Sequence, residues 1–195
     1  MTPIPELALA ARRMADLVTG VRDHQLTAPT PCTDLTLGAL LDHINGLALA
    51  FTWAATKNPP GLTTPSADAS RLPPDWRDRI PERLDALAAA WRSPDAWEGM
   101  TQAGGIDMSG EEAGRVAMNE LVVHGWDVAR ATGQPYAPTP PEIEDCMAFV
   151  QPAVEQSNGQ GIEGLFGPAV PIPEDAPPLD RLLALTGRTP TWTPE

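Results

Sequence analysis

Cysteine, lysine and long apolar runs are all scarce in this chain, and each scarcity excludes something. Two cysteines in 195 residues, Cys32 and Cys146, are too few for a disulfide framework. Each is expected to be a reduced, buried or half-buried small hydrophobe. Cys32 lies in a proline-rich stretch with no basic neighbour in sequence to depress its pKa. A single lysine, Lys57, accompanies twelve arginines, and these 13 basic groups face 26 acidic ones for a net charge of -13. Such a field repels phosphate backbones and anionic lipid, so nucleic acid and membrane are excluded as expected partners and a small-molecule substrate is left. No apolar run approaches the ~20 residues of a membrane span, and the opening Met1-Thr2-Pro3 with acidic Glu6 lacks the basic start of a secretory leader. A cytoplasmic protein is expected. No repeat or shift in composition marks a boundary, so residues 1–195 read as one domain, and 42% hydrophobic content is ordinary for one with a full core.

What is present is helical rhythm. Leu7, Ala10, Ala11, Met14, Leu17, Val18 and Val21 make one apolar stripe and predict a first helix over Pro5–Val21. His24, in the exit from it beside Asp23 and Gln25, reads as a solvated or capping histidine rather than a ligand. The two prolines of TAPTPCTD stop that helix, and Thr36 is placed to cap a second, running to Ala55, with Leu37, Leu40, Leu41, Ile44, Leu47, Ala48 and Phe51 facing inward. His43 falls within that face. The five prolines of residues 58–74 predict a long loop, a candidate lid or rim. A third helix is expected over Pro81–Arg92, a short connection with some extended structure over Trp97–Met108, another helix over Pro140–Gln156 behind a Thr139–Glu142 capping box, and a last one over Leu179–Thr186 ending at Gly187. The Pro-rich stretch 167–178 is a second candidate for a rim.

The longest helix is the one that carries chemistry. Ser109, three before Glu112, is a capping signal, and Gly133 suits a left-handed C-cap. Between them Val116, Ala117, Glu120, Val123, His124, Asp127, Val128 and Ala131 share a core-facing stripe, interrupted by three polar groups. A buried carboxylate costs several kcal/mol unless it is protonated, paired or coordinated. Glu120 and His124 lie one turn apart and project the same way, so they support either a metal site or a buried hydrogen-bonded Glu–His pair. With His43 from the second helix they make a His2Glu set, a ligand combination that leaves catalytic zinc a fourth position for water or substrate. Asp127 is placed to accept an imidazole N–H, to act as a general base, or to enter a buried salt bridge with Arg115, Arg130 or Arg181. Trp126 is expected to pack between helices, with Asn119 and Arg130 facing away from the site. The elements together predict an all-α fold, a helical bundle with a short extra C-terminal helix and long Pro-rich loops.

Three stretches in order, PTPCTDLTLGALLDHINGL, ELVVHGWDVARATGQ and FGPAVPIPEDAPPLDRLLALTGR, resemble the actinobacterial metal-binding proteins of the DinB-like superfamily that share the N-terminal domain of mycothiol-dependent maleylpyruvate isomerase. The resemblance implies a DinB-like four-helix bundle in which His43, Glu120 and His124 hold a divalent metal, taken as zinc. It also implies a low-molecular-weight thiol such as mycothiol as cosubstrate, for an enzyme of S-transferase or isomerase type. Maleylpyruvate isomerase has a further C-terminal domain, and groups that such a domain supplies are expected to be missing from a chain reaching only Glu195. The alternative is a non-catalytic protein that binds a metal or small molecule in the same bundle.

Overall fold

The computed structural model describes residues 5–58, 66–162 and 164–194. Its elements are α1 (Leu7–Gly20), α2 (Leu37–Ala55), α3 (Trp76–Ala90), the single turn α4 (Pro94–Trp97), a hairpin of β1 (Met100–Ala103) and β2 (Ile106–Ser109), then α5 (Gly110–Thr132), α6 (Pro140–Gln156) and α7 (Pro178–Leu185). The fold is all-α apart from that hairpin, whose antiparallel register pairs Met100 with Ser109 and Ala103 with Ile106. None of its described helices is long and apolar enough to cross a membrane. The opening residues 1–4 and part of the proline-rich loop, residues 59–65, lie outside the described residues.

Local chemistry sets the helix ends. The Thr36 hydroxyl accepts the Ala39 N–H at the start of α2, and the Ser109 hydroxyl accepts the Glu112 N–H at 3.1 Å at the start of α5. Gly133 closes α5 at φ 72°, a left-handed conformation that costs glycine nothing. The third helix begins five residues earlier than the sequence predicts, at Trp76 instead of Pro81. Buried Trp76 and Ile80 extend the stripe of Leu84, Leu87 and Ala88 by two turns, and that burial outweighs the hydrogen bond Pro81 cannot donate. His24 is exposed in a 3₁₀ turn over Asp23–Gln25, as expected of a residue without a ligand role.

Four helices close a ring in which α1 packs on α3, α3 on α2, α2 on α5 and α5 back on α1. Chain neighbours α1 and α2 therefore stand diagonally opposed, and the proline-rich turn after residue 27 carries the chain across one end of the bundle. Leu37, Leu40, Leu41, Ile44, Ile80, Leu84 and Leu87 fill the centre with no exposed surface. Each such side chain contributes about 1.5–3 kcal/mol by leaving water. Helix α6 then covers the outer side of α5, and α7 packs on α6. Sandwiched in this way, α5 is buried on nearly all sides, so its polar residues Glu120, His124 and Asp127 are enclosed together.

Candidate metal centre

His43 comes from α2, and Glu120 and His124 from adjacent turns of α5; the contact between those helices brings the three together. Glu120 Oε2 lies 3.3 Å from His43 Nε2 and 3.1 Å from His124 Nε2. The two imidazoles meet edge to face with ring centroids 4.9 Å apart. One donor atom from each residue falls within 4.8 Å of the other two. Donors bound at 2.0–2.1 Å to a tetrahedral ion stand roughly 3.3 Å apart, so these separations fit a shared cation as well as hydrogen bonds between the three side chains. Glu120 and His124 keep only 10% and 9% of their side chains exposed, against 34% for His43. The site is thus closed on the α5 side and reached past His43.

Behind His124 stands a second layer. Its Nδ1 lies 2.9 Å from Asp127 Oδ2, which directs Nε2 toward Glu120 and His43. Asp127 is fully buried, and its charge is met by Arg188, whose Nη2 donates to the same Oδ2 at 3.0 Å. Asp127 thus combines two of the roles open to it in sequence, imidazole acceptor and salt-bridge partner, but the partner is none of the three arginines considered there. Arg115 pairs with Glu111 on its own helix. Arg130 donates to the Trp192 carbonyl and stacks over Trp126, and the sequence offers no local signal for Arg188, 61 residues away. Asn119 is buried as well, and its Oδ1 has no hydrogen-bond partner among the described residues.

Electrostatics within the cluster follow from these contacts. Burial opposes the charge on Glu120, yet the His124 charge and hydrogen bonds from both imidazoles outweigh it and hold the carboxyl well below its usual range. For His124 burial pulls the other way, but Glu120 and Asp127 on either side push it up to about 9. Asp127 is held low against burial, first by Arg188 and then by His124. A ring lodged between two carboxylates is thus held toward its protonated form.

Cys32 is the residue whose place the sequence hides most. Its thiol lies within 4.8 Å of donor atoms of His124 and Asp127. This second grouping suits a cation poorly, because Arg188 already supplies positive charge to Asp127 there. Burial pushes the Cys32 thiol up to about 11, with Arg188 only partly opposing it. The turn that carries it is pinned by the Thr30 hydroxyl, placed to donate to the Cys32 and Leu35 carbonyls. Of the two rim candidates, the described end of the first loop ties down beside the site, since the Asp68 N–H and Arg71 both donate to Asp42, next to His43. The second bonds instead to Gly159 and Ala184, through the Ala169 and Val170 N–H groups.

The His-Gly-Trp-Asp run of α5 can now be read residue by residue. His124 and Asp127 form the cluster, and Trp126 packs beneath Arg130. Gly125 gives room to Tyr136, because a Cβ there would lie 2.9 Å from the tyrosine oxygen, which donates to the Val122 carbonyl at 2.6 Å.

Known proteins place the chain. Two Mycobacterium tuberculosis proteins, the uncharacterized proteins MT0763 and Rv0738 of different strains, are each 30% identical to it over 202 residues, spanning 97% of this chain and 99% of theirs. Crystal structures of the mycothiol-dependent maleylpyruvate isomerase and of a histidine-to-alanine mutant of it share the fold, with TM-scores of 0.57 and 0.58 at 19% identity, over 82% of this chain and 73% of theirs. Residues 7–129, from the start of α1 to near the end of α5, match the family model of the mycothiol maleylpyruvate isomerase N-terminal domain, and to that family the chain belongs.

Proposed function

We propose that this protein is a metal-dependent enzyme in which His43, Glu120 and His124 hold a divalent cation, zinc by the chemistry of the donors, and a low-molecular-weight thiol such as mycothiol attacks a small electrophile. The observation that carries the reading is the convergence of two imidazole nitrogens on one buried carboxylate oxygen, with the second ring nitrogen of His124 fixed by Asp127. Two nitrogens and one oxygen are a donor set zinc accepts, and three protein ligands leave a position for a reactant. When bound there, a divalent ion supplies charge that makes a thiol or water nucleophilic near neutral pH.

The chain's own groups do the rest. Glu120 contributes the single negative charge of the donor set, while Asp127 and Arg188 cancel each other behind it. A divalent ion in that set leaves a net charge of about +1, which favours a monoanionic partner such as a thiolate. Half-exposed His43 marks the open side, so thiol and electrophile approach across α2, where Asp42, Asp68 and Arg71 fix the end of the loop. The family's name supports isomerisation as the reaction class, with S-transfer as the other reaction open to an activated thiol, and maleylpyruvate is the substrate named for the solved relative.

The test is elemental analysis of tag-free protein, with His43→Ala and His124→Ala beside the wild type. About one equivalent of zinc in the wild type and almost none in either variant is expected, followed by turnover of maleylpyruvate or another small electrophile only when mycothiol is added. Metal-free wild type that cannot be reloaded sinks the reading. Bound metal without multiple turnovers moves the protein to the class of non-catalytic binders.

A further inference from the structure

Resting on that metal reading, we propose that Arg188 is a positioning residue of the centre, which acts through Asp127 to fix the His124 ring, so that the segment after α7 completes the site. Arg188 is anchored at its own end. Its backbone N–H donates to the Leu183 carbonyl at 2.9 Å, its Nη1 donates to the Thr186 carbonyl at 2.8 Å, and Thr186 is itself buried with its hydroxyl on the Leu182 and Leu183 carbonyls. Only 6% of the residue is exposed. This is a strut seated on a helix end rather than a mobile surface arginine.

Its other end sets the geometry of the ligand. Nη2 lies 3.0 Å and Nε 3.4 Å from the two oxygens of Asp127, gripping the carboxylate edge-on. With that plane fixed, Oδ2 stands 2.9 Å from His124 Nδ1. An imidazole has one torsion about its Cβ–Cγ bond that aims both nitrogens at once, so holding Nδ1 decides where Nε2 points. A chain of contacts therefore runs from the end of α7 through Asp127, His124 and Glu120 of α5 to His43 on α2. The matched family stretch ends at residue 129, so this support comes from outside it.

A residue that merely staples the C-terminal segment makes a different prediction, and Arg130 supplies the control. It holds the same segment by donating to the Trp192 carbonyl and makes no hydrogen bond to the cluster among the described residues. Zinc affinity is measured on tag-free protein by competition with a chromogenic chelator, and the Co2+-loaded visible spectrum reports ligand geometry. Arg188→Met is expected to bind zinc about 10–100-fold more weakly with an altered cobalt spectrum, Arg188→Lys to fall between it and the wild type, and Arg130→Met to stay within about twofold. By linkage, zinc should also slow amide exchange at residues 186–188 of the wild type.

Folded Arg188→Met that binds zinc like the wild type overturns the proposal. So does Arg130→Met weakening the site as much. Should Arg188→Met not fold, Arg188→Lys decides, since the wild-type affinity and cobalt spectrum in that variant would show that the guanidinium fork is not needed. Wild type that binds no zinc removes this proposal and the metal reading together, whereas metal-loaded wild type with indifferent Arg188 variants removes this proposal alone.

Discussion

Among the described residues two glutamates are buried, Glu120 on α5 and Glu142 on α6, and they are satisfied in opposite ways. Glu142, at the start of α6, accepts from Arg13 of α1 at 3.0 and 3.1 Å and from both the N–H and the hydroxyl of Thr139 at 2.6 and 3.0 Å. Both its oxygens are used and its countercharge is a permanent guanidinium, tucked beside the Tyr136 ring. Glu120 offers a single oxygen to two imidazoles, neither of which is a permanent cation. The first arrangement locks α1 to α6. The second carries no permanent countercharge, which leaves room for either protons or the proposed metal ion, and this difference separates a structural clamp from the candidate centre more clearly than burial does.

The comparison breaks most visibly in stability. Arg13→Met strands Glu142 without its countercharge, at a cost of about 3 kcal/mol, the low end for a broken buried pair because Arg13 is partly solvated. At about 2–4 °C per kcal/mol for a chain of this size, the melting temperature should drop by roughly 6–12 °C with or without zinc, and zinc content should not change. Glu120→Gln should do the reverse. The amide still hydrogen-bonds the imidazoles, so the metal-free fold loses only about 1 kcal/mol, while metal binding and its thermal stabilisation vanish. Paired melts with and without zinc decide the matter, and similar patterns for the two variants would erase the distinction.

A smaller effect comes from pH, and it is read at the Glu120 cluster. His124 goes from its ordinary 6.5 in the unfolded chain to about 9 in the fold, because Glu120 and Asp127 outweigh its burial. A pKa raised by folding gives stability that is complete below 6.5 and lost as pH climbs to about 9. Glu120, held low, gives stability present above its ordinary 4.5 and lost as pH falls. In chelator the wild type should therefore melt highest between about pH 5 and 6.5 and lose several degrees by pH 9, a decline absent from His124→Ala. Zinc must displace the same proton, so its apparent affinity should rise about tenfold per pH unit up to about 9. A flat affinity over pH 6.5–8.5 would place the exchangeable proton elsewhere.

How much of this was legible in the sequence follows from range. The caps at Thr36, Ser109 and Gly133 and the bounds of α2, α5 and α6 depend on residues within one turn, and they stand where the pattern put them. The Glu120 and His124 juxtaposition is likewise local, fixed by helical pitch. Pro81 misled because a proline at a helix start and a proline inside a helix look alike until tertiary burial of Trp76 and Ile80 is known. The pairing of Asp127 with Arg188, of Glu142 with Arg13, and of Cys32 with the back of His124 depends on which helices are neighbours around the ring, information that no periodicity contains. Three candidate arginines on paper thus gave way to a fourth from a turn after the last helix.

Cys32 supplies the smallest expected effect and the sharpest control on what the centre uses. Its thiol stands close enough to His124 and Asp127 to be mistaken for part of the machinery. Burial nevertheless raises it from 9.0 to about 11, which cuts its thiolate fraction at neutral pH about a hundredfold. In the proposed reaction Cys32 is therefore a poor nucleophile, and that role falls to the low-molecular-weight thiol. Cys32→Ser should keep the zinc equivalent and the pH profile of zinc affinity, change stability by no more than about 1 kcal/mol, and leave thiol-dependent turnover intact. Iodoacetamide should label the wild type at Cys32 about a hundredfold more slowly than a solvated thiol. Rapid labelling, or loss of turnover in Cys32→Ser with zinc retained, would make the protein thiol a reactant and would add a nucleophile beside the proposed cation site.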